Sequence, residues 1–280
     1  MIEEKYPIKG SGGGGSSPPP APPQPTREPD TLHSRQFATF LDLVSEGEIE
    51  GFATASKEGR TKGTTAYNNA ALKDVFLNDT PVLRASADST DPQTTDFNFQ
   101  DVKFTPRFGT GDQTKIPGIE SSVSTTSVGV EVTASTPVTR QITNTNVDAV
   151  KVSITFPQLQ KATDSGDLLG STVEFKISVQ YNSGGFTDVI TPTNGGKVTG
   201  RSGDAYQKDF RINITGAFPV DIRVSRVTAD STDTNLRDSF QWTSFGEIID
   251  DASTYLNSAY SSIRLDSMQF SSIPARKFRI

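Results

Sequence analysis

The chain has 280 residues with 27 basic and 33 acidic side chains, a net charge of −6, and no cysteine. It lacks the basic stripe with which nucleic-acid binders displace counterions from phosphates, so sequence-specific DNA or RNA binding is not expected. The missing cysteines exclude disulfides, thiolate nucleophiles and cysteine-ligated metal centres, and no apolar run reaches the ~18 residues of a membrane-spanning helix.

The opening decapeptide MIEEKYPIKG has charges but no apolar stretch behind them, so it does not read as a secretory signal. Residues 10–25, GSGGGGSSPPPAPPQP, are low complexity: glycine supplies flexibility, and the prolines favour extended polyproline II. No strand precedes these glycines and no Lys-Ser/Thr follows, so they are not a phosphate-binding loop. Residues 1–30 are read as a disordered or extended arm, with Tyr6 and Ile8 as anchors should it cross to a neighbouring subunit. Next, Thr31 reads as an N-cap. Phe37, Phe40, Leu41 and Val44 follow at three- and four-residue spacing, which predicts one short N-terminal helix ended by Gly47 and Gly51.

Beyond the helix the pattern is that of strands. LKDVFLNDTPVL places two apolar runs around Asn78-Asp79, a hairpin turn signal. Phe97, Phe99, Val102 and Phe104 predict a strand with one irregular step. Val150, Val152, Ile154 and Phe156 alternate with polar residues. The same holds for Val173 to Tyr181, for Phe210, Ile212 and Ile214, and for Val220, Ile222 and Val224. Turn signals at 182–185 and 194–196 separate these runs, and four or more half-buried strands without intervening helices predict an antiparallel β-sandwich. Ile263, Leu265, Phe270 and the closing Phe278-Arg279-Ile280 read as further strands.

The residue types that catalysis needs are present without the spacing that it needs. His33 is the only histidine and lies between the arm and the predicted helix, with nothing to position it as a base. Glu46, Glu48 and Glu50 in SEGEIEG would share a strand face, where mutual repulsion raises a pKa. Their glycine flanks favour a strand or turn instead. Asp230, Asp233 and Asn235 have the spacing of a partial calcium loop but lack its central glycine and terminal glutamate, which favours a polar turn. Trp242, beside Phe240 and Phe245, reads as a sandwich-edge seal or a sugar platform. Arg276, Lys277 and Arg279 around Phe278 fit a strand with one solvated face and need no ligand. No catalytic, cofactor-binding or metal site is assigned.

Six phrases carry more information than any of these. They are EPDTLHSRQFATFLDLVSEGEIEGF at 28–52, LKDVFLNDTPVL at 72–83, RFGTGDQTKIPG at 107–118, TPVTRQITNTNVDAVKVSITFPQL at 136–159, FPVDIRVSRVTADSTD at 218–233 and SFQWTSFGEIID at 239–250. In this order they resemble the N-terminal part of the lambda-type phage tip attachment family, also called host-specificity protein J or central tail hub. One departure is Leu256, where the family phrase carries proline.

The resemblance implies a mainly β fold, with the sandwich inserted in a mixed α+β tail-hub domain. The divisions expected are an arm at 1–30, a first hub segment at 31–119, a sandwich insertion at 120–250 and return strands at 251–280. It also implies a non-enzymatic virion protein at the distal end of the tail, made in the host cytoplasm, without cofactors. The implied assembly is a homotrimer meeting distal tail and tape-measure proteins. Family polypeptides continue well beyond this length, so 1–280 is expected to be a portion or shortened form, with receptor-binding modules outside it. A carbohydrate-binding or adhesive β-sandwich on a flexible linker is the alternative.

Overall fold

The computed structural model describes residues 24–280. The arm expected over residues 1–23, with Tyr6 and Ile8, lies outside the described residues. Residues 24–36 run as an extended strap with one isolated bridge at Arg27. The first regular element, β1 (Phe37–Glu46), is a strand where the sequence predicts a helix. Its apolar residues occupy both faces, a pattern that helical spacing imitates, and pairing with a later strand decides the outcome. Thr31 caps no helix; its hydroxyl accepts the Arg201 N–H.

The helices are α1 (Ala53–Lys57) and α2 (Thr65–Ala71), both too short to show periodicity. The Thr64 hydroxyl caps α2 by accepting the Tyr67 N–H at 3.2 Å. Strands β2 (Val75–Leu77) and β3 (Thr80–Pro81) then form the hairpin, with Asn78 and Asp79 both at positive φ. The strand expected across 97–104 is confined to its end. A 3₁₀ turn at Thr94–Asp96 leads into irregular chain, and β4 (Lys103–Phe108) begins only at Lys103.

Twelve strands follow. They are β5 (Glu120–Glu131), β6 (Val138–Ile142), β7 (Ala149–Phe156), β8 (Gln160–Ala162), β9 (Leu168–Leu169), β10 (Ser171–Tyr181), β11 (Thr187–Ile190), β12 (Lys197–Gly200), β13 (Tyr206–Asn213), β14 (Val220–Arg226), β15 (Leu236–Arg237) and β16 (Gln241–Asp250). They build two facing sheets, β13-β7-β16-β5 and β11-β10-β14-β6, with β12 beside β10 and a small β15-β8-β9 sheet at one side. The alternation predicted the faces well: Val150, Val152, Ile154 and Phe156 meet Val173, Phe175, Ile177 and Val179 in one core. Phe240 sits between Phe156 (5.3 Å) and Phe175 (5.5 Å). Each such side chain contributes roughly 1.5–3 kcal/mol by leaving water. A bulge in β16 between Trp242 and Ser244 changes the phase, so that Trp242 and Phe245, three residues apart, both reach this core.

The last elements, β17 (Ser258–Asp266) and β18 (Arg276–Phe278), pair with the opening ones. β17 lies between β1 and β4, and β18 adds to β2. A second core forms here from Phe52, Tyr67, Leu77, Leu83, Phe104, Ile263 and Leu265. The fold is thus mainly β, with two helices and a sandwich.

Candidate interaction surfaces

Three surfaces have geometry that sequence reasoning did not foresee. The first is the bed of the strap. Glu28 N–H donates to Leu168 O at 2.9 Å, Thr31 N–H to Arg201 O at 2.9 Å, and Gln207 N–H to the Ser34 hydroxyl at 2.8 Å. The Arg201 side chain, only 2% exposed, donates to Glu28 O at 2.9 Å and to Gln160 at 3.1 Å, and forms an ion pair with Asp30. Glycines make room for this. A Cβ on Gly166 would meet Pro25, one on Gly200 would meet Thr31 and Leu32, and one on Gly203 would lie 3.2 Å from Arg27.

The second surface is the β5 edge of the sandwich. Among the described residues β5 pairs only with β16, and eleven of its twelve residues are exposed. Apart from Glu120 and Glu131 it carries no charge or proline, the usual protections of a free edge. Beside it is an open depression of about 340 Å³ lined by Val123, Thr125, Lys151, Ser153, Gln207 and Ser244, floored at Gly246. With Glu120 at its rim, its lining offers hydroxyls, an amide, one ammonium and one carboxylate, and no aromatic side chain.

The third is the outer face of β1-β17-β4. Register places Thr39, Arg264 and Lys103 in one row, Leu41, Ser262 and Thr105 in the next, and Leu43, Tyr260 and Arg107 in the third; Ser262 and Tyr260 are buried, so the open part is the β1 side with Arg264 and Lys103. Phe37, Leu41 and Leu43 are 37%, 38% and 63% exposed. The Arg264 guanidinium lies 3.6 Å from the Phe37 ring centroid.

The residues singled out in the sequence are scattered. His33 is exposed on the strap. Glu46, Glu48 and Glu50 are all exposed where β1 ends. Asp230 accepts the Ala134 N–H at 3.0 Å and pairs with Arg226 at 3.4 Å, while Asp233 accepts the Asn235 N–H at 2.9 Å. These carboxylates hold turns. Trp242 is fully buried, its indole N–H donating to Ser244 O at 2.8 Å, which removes the sugar-platform reading. Each base of the C-terminal run has a carboxylate: Arg276 with Asp42, Lys277 with Asp79, Arg279 with Asp74.

Glu58 is a half-buried carboxylate ringed by donors. Glu58 accepts from Lys73 at 2.9 Å, Arg60 at 3.0 Å and Ser89 at 3.2 Å. Burial raises its pKa, but these donors outweigh burial and hold it below the ordinary carboxylate value. The group fastens α1 to the 72–89 segment and faces no cleft suited to chemistry.

Against known proteins, residues 122–251 match the family model of the tip attachment protein J FNIII-A domain. Tip attachment protein J of Escherichia phage SECphi4 is 32% identical over 255 residues, 89% of this chain and 20% of that protein. The protein of the same name from Escherichia phage SECphi27 is 30% identical over 267 residues, 95% of this chain and 20% of its own length. The chain therefore spans about a fifth of these curated relatives. Among solved structures, a D431N mutant VP2 protein of infectious bursal disease virus superposes with a TM-score of 0.23 at 12% identity, covering 88% of this chain and 66% of that one. The sandwich matches the tip attachment protein J FNIII-A domain, and the segments on both sides of it align with the same two relatives, so the chain is similar to tip attachment protein J along nearly its whole length.

Proposed function

We propose that the chain is a structural, non-enzymatic component of a phage tail tip, contributing to the central hub that closes the distal tail tube. The observation that carries this reading is the similarity to two phage tip attachment proteins along nearly the whole chain, flanking segments included. In this reading 31–119 and 251–280 are hub segments, 120–250 is the inserted sandwich, and residues 1–30 are an arm. The pairing of β17 and β18 with β1, β4 and β2 supports joining the two flanking segments into one unit. The hub is a homotrimer that meets distal tail and tape-measure proteins, carries receptor-binding modules outside this region, and serves host attachment and DNA passage. It holds no catalytic, cofactor or metal site.

The test is electron microscopy of phage particles labelled with antibody raised against residues 35–280. Label confined to the distal tail is the expected result. Label on capsids, or unlabelled particles, refutes the assignment.

A further inference from the structure

We propose that the outer side of β1, together with Arg264 and Lys103 level with Thr39, is the surface on which a second copy of this chain docks, apolar strip against neighbour and basic row against the neighbour's acidic run. The inference rests on the homotrimer proposed above and names its contact. A strand that is apolar on one face alternates; a near-continuous run such as FATFLDLV belongs to a strand covered on both faces. Among the described residues β1 has only one cover. Its inner side packs Phe40 against the second core, whereas Phe37, Leu41 and Leu43 form an exposed strip on the outer side. An apolar strip rimmed by charge is the mark of a protein contact.

Charge selects the occupant. Level with Thr39, Arg264 and Lys103 form a basic row without an ion-pair partner among the described residues. At the other end of β1, Glu46, Glu48 and Glu50 are exposed and form no ion pair among the described residues. Seven residues of strand separate Thr39 from Glu46, roughly 23 Å at ~3.3 Å per residue. That is beyond the ~8 Å screening length at physiological salt, so the two groups do not neutralise one another within one copy. Head-to-tail contact between copies brings them together, and such a contact closes into a ring when its rotation permits.

Sedimentation velocity of the full chain tests this, with circular dichroism to confirm folding. Leu43→Glu with Leu41→Glu should weaken association by about 30-fold or more, as loss of a central apolar anchor does. The exposed Ile273→Glu should leave association unchanged. Lys103→Glu with Arg264→Glu should also weaken it, and adding Glu48→Lys and Glu50→Lys to the same chain should restore it, which a folding defect would not allow. Wild-type association of the Leu41/Leu43 variant overturns the inference while leaving a homotrimer intact. Charge reversal without restoration overturns the acidic partner. A wild-type chain that stays monomeric at tens of micromolar overturns the docking face without bearing on a homotrimer held by other parts of a longer polypeptide.

Discussion

Replacing Arg201 by alanine should free the strap while leaving the sandwich folded. The side chain is 2% exposed, donates to Glu28 O at 2.9 Å and Gln160 at 3.1 Å, and pairs with Asp30. A fully buried pair that loses one member costs about 3–5 kcal/mol. Asp30 keeps about a third of its exposure, 32%, so water recovers part of that. The net cost is about 2–4 kcal/mol, or about 30-fold to several hundred-fold in the opening equilibrium. The Glu28, Thr31 and Leu32 N–H groups bond to backbone carbonyls and not to the Arg201 side chain, so their hydrogen exchange reports the opening directly. Their protection should fall by that factor, while the amides of β7 keep theirs. Asp30→Ala should cost at least as much, because it strands the guanidinium, and the double variant should cost less than the sum. Strap amides protected to within about twofold of wild type in Arg201→Ala would refute the clamp.

Gly200→Ala should cost about 2–4 kcal/mol in urea denaturation, since φ is +145° and the strap occupies the space of the new methyl. Glu58 and Asp188 are both held below their ordinary values; at Asp188 the main cause is the hydrogen bond from Lys176, followed by that from Ser178. A lowered folded pKa gives stability that is complete above the unfolded value and lost as pH falls through the folded one. The melting temperature should therefore drop below about pH 4.5, and Glu58→Gln should flatten that limb. Trp242→Ala should cost about 3–5 kcal/mol. In the wild type, acrylamide should barely quench the tryptophan emission, and saccharides should not shift it.

The sandwich was legible in the sequence because its strands each bury one face, so the period of two survives in β7, β10 and β14. Turns in both parts of the fold were legible for a local reason: Asn78, Asp79, Asn182 and Ser183 adopt positive φ where the sequence marks turns. β1 was misread because strand pairing, which is long-range, fixed its conformation, and a run apolar on both faces satisfies helical spacing as well. The helices were missed since five and seven residues are too few to display a period. No signal in GRSGD marked Arg201 as a buried clamp; glycine and serine neighbours normally indicate an exposed turn, and here they admit the strap. Trp242 was ambiguous because burial depends on the β16 bulge, which local composition does not encode.

Two attachments along β13 hold the sandwich to the segments that flank it in sequence. The covalent neck between the units is a pair of crossings, with Asp251 N–H donating to Ile119 O at 2.7 Å and Arg211 bridging Glu120 and Asp250. Two adjacent chains alone leave rotation about their common axis inexpensive. The strap adds a second point at Gln207, four residues from Arg211 and so roughly 13 Å along the strand. A body held at two points this far apart cannot turn about the neck without lifting one of them. The Arg201 clamp contributes to the free energy of that lifting, together with Leu32 of the strap, which packs against the sandwich core.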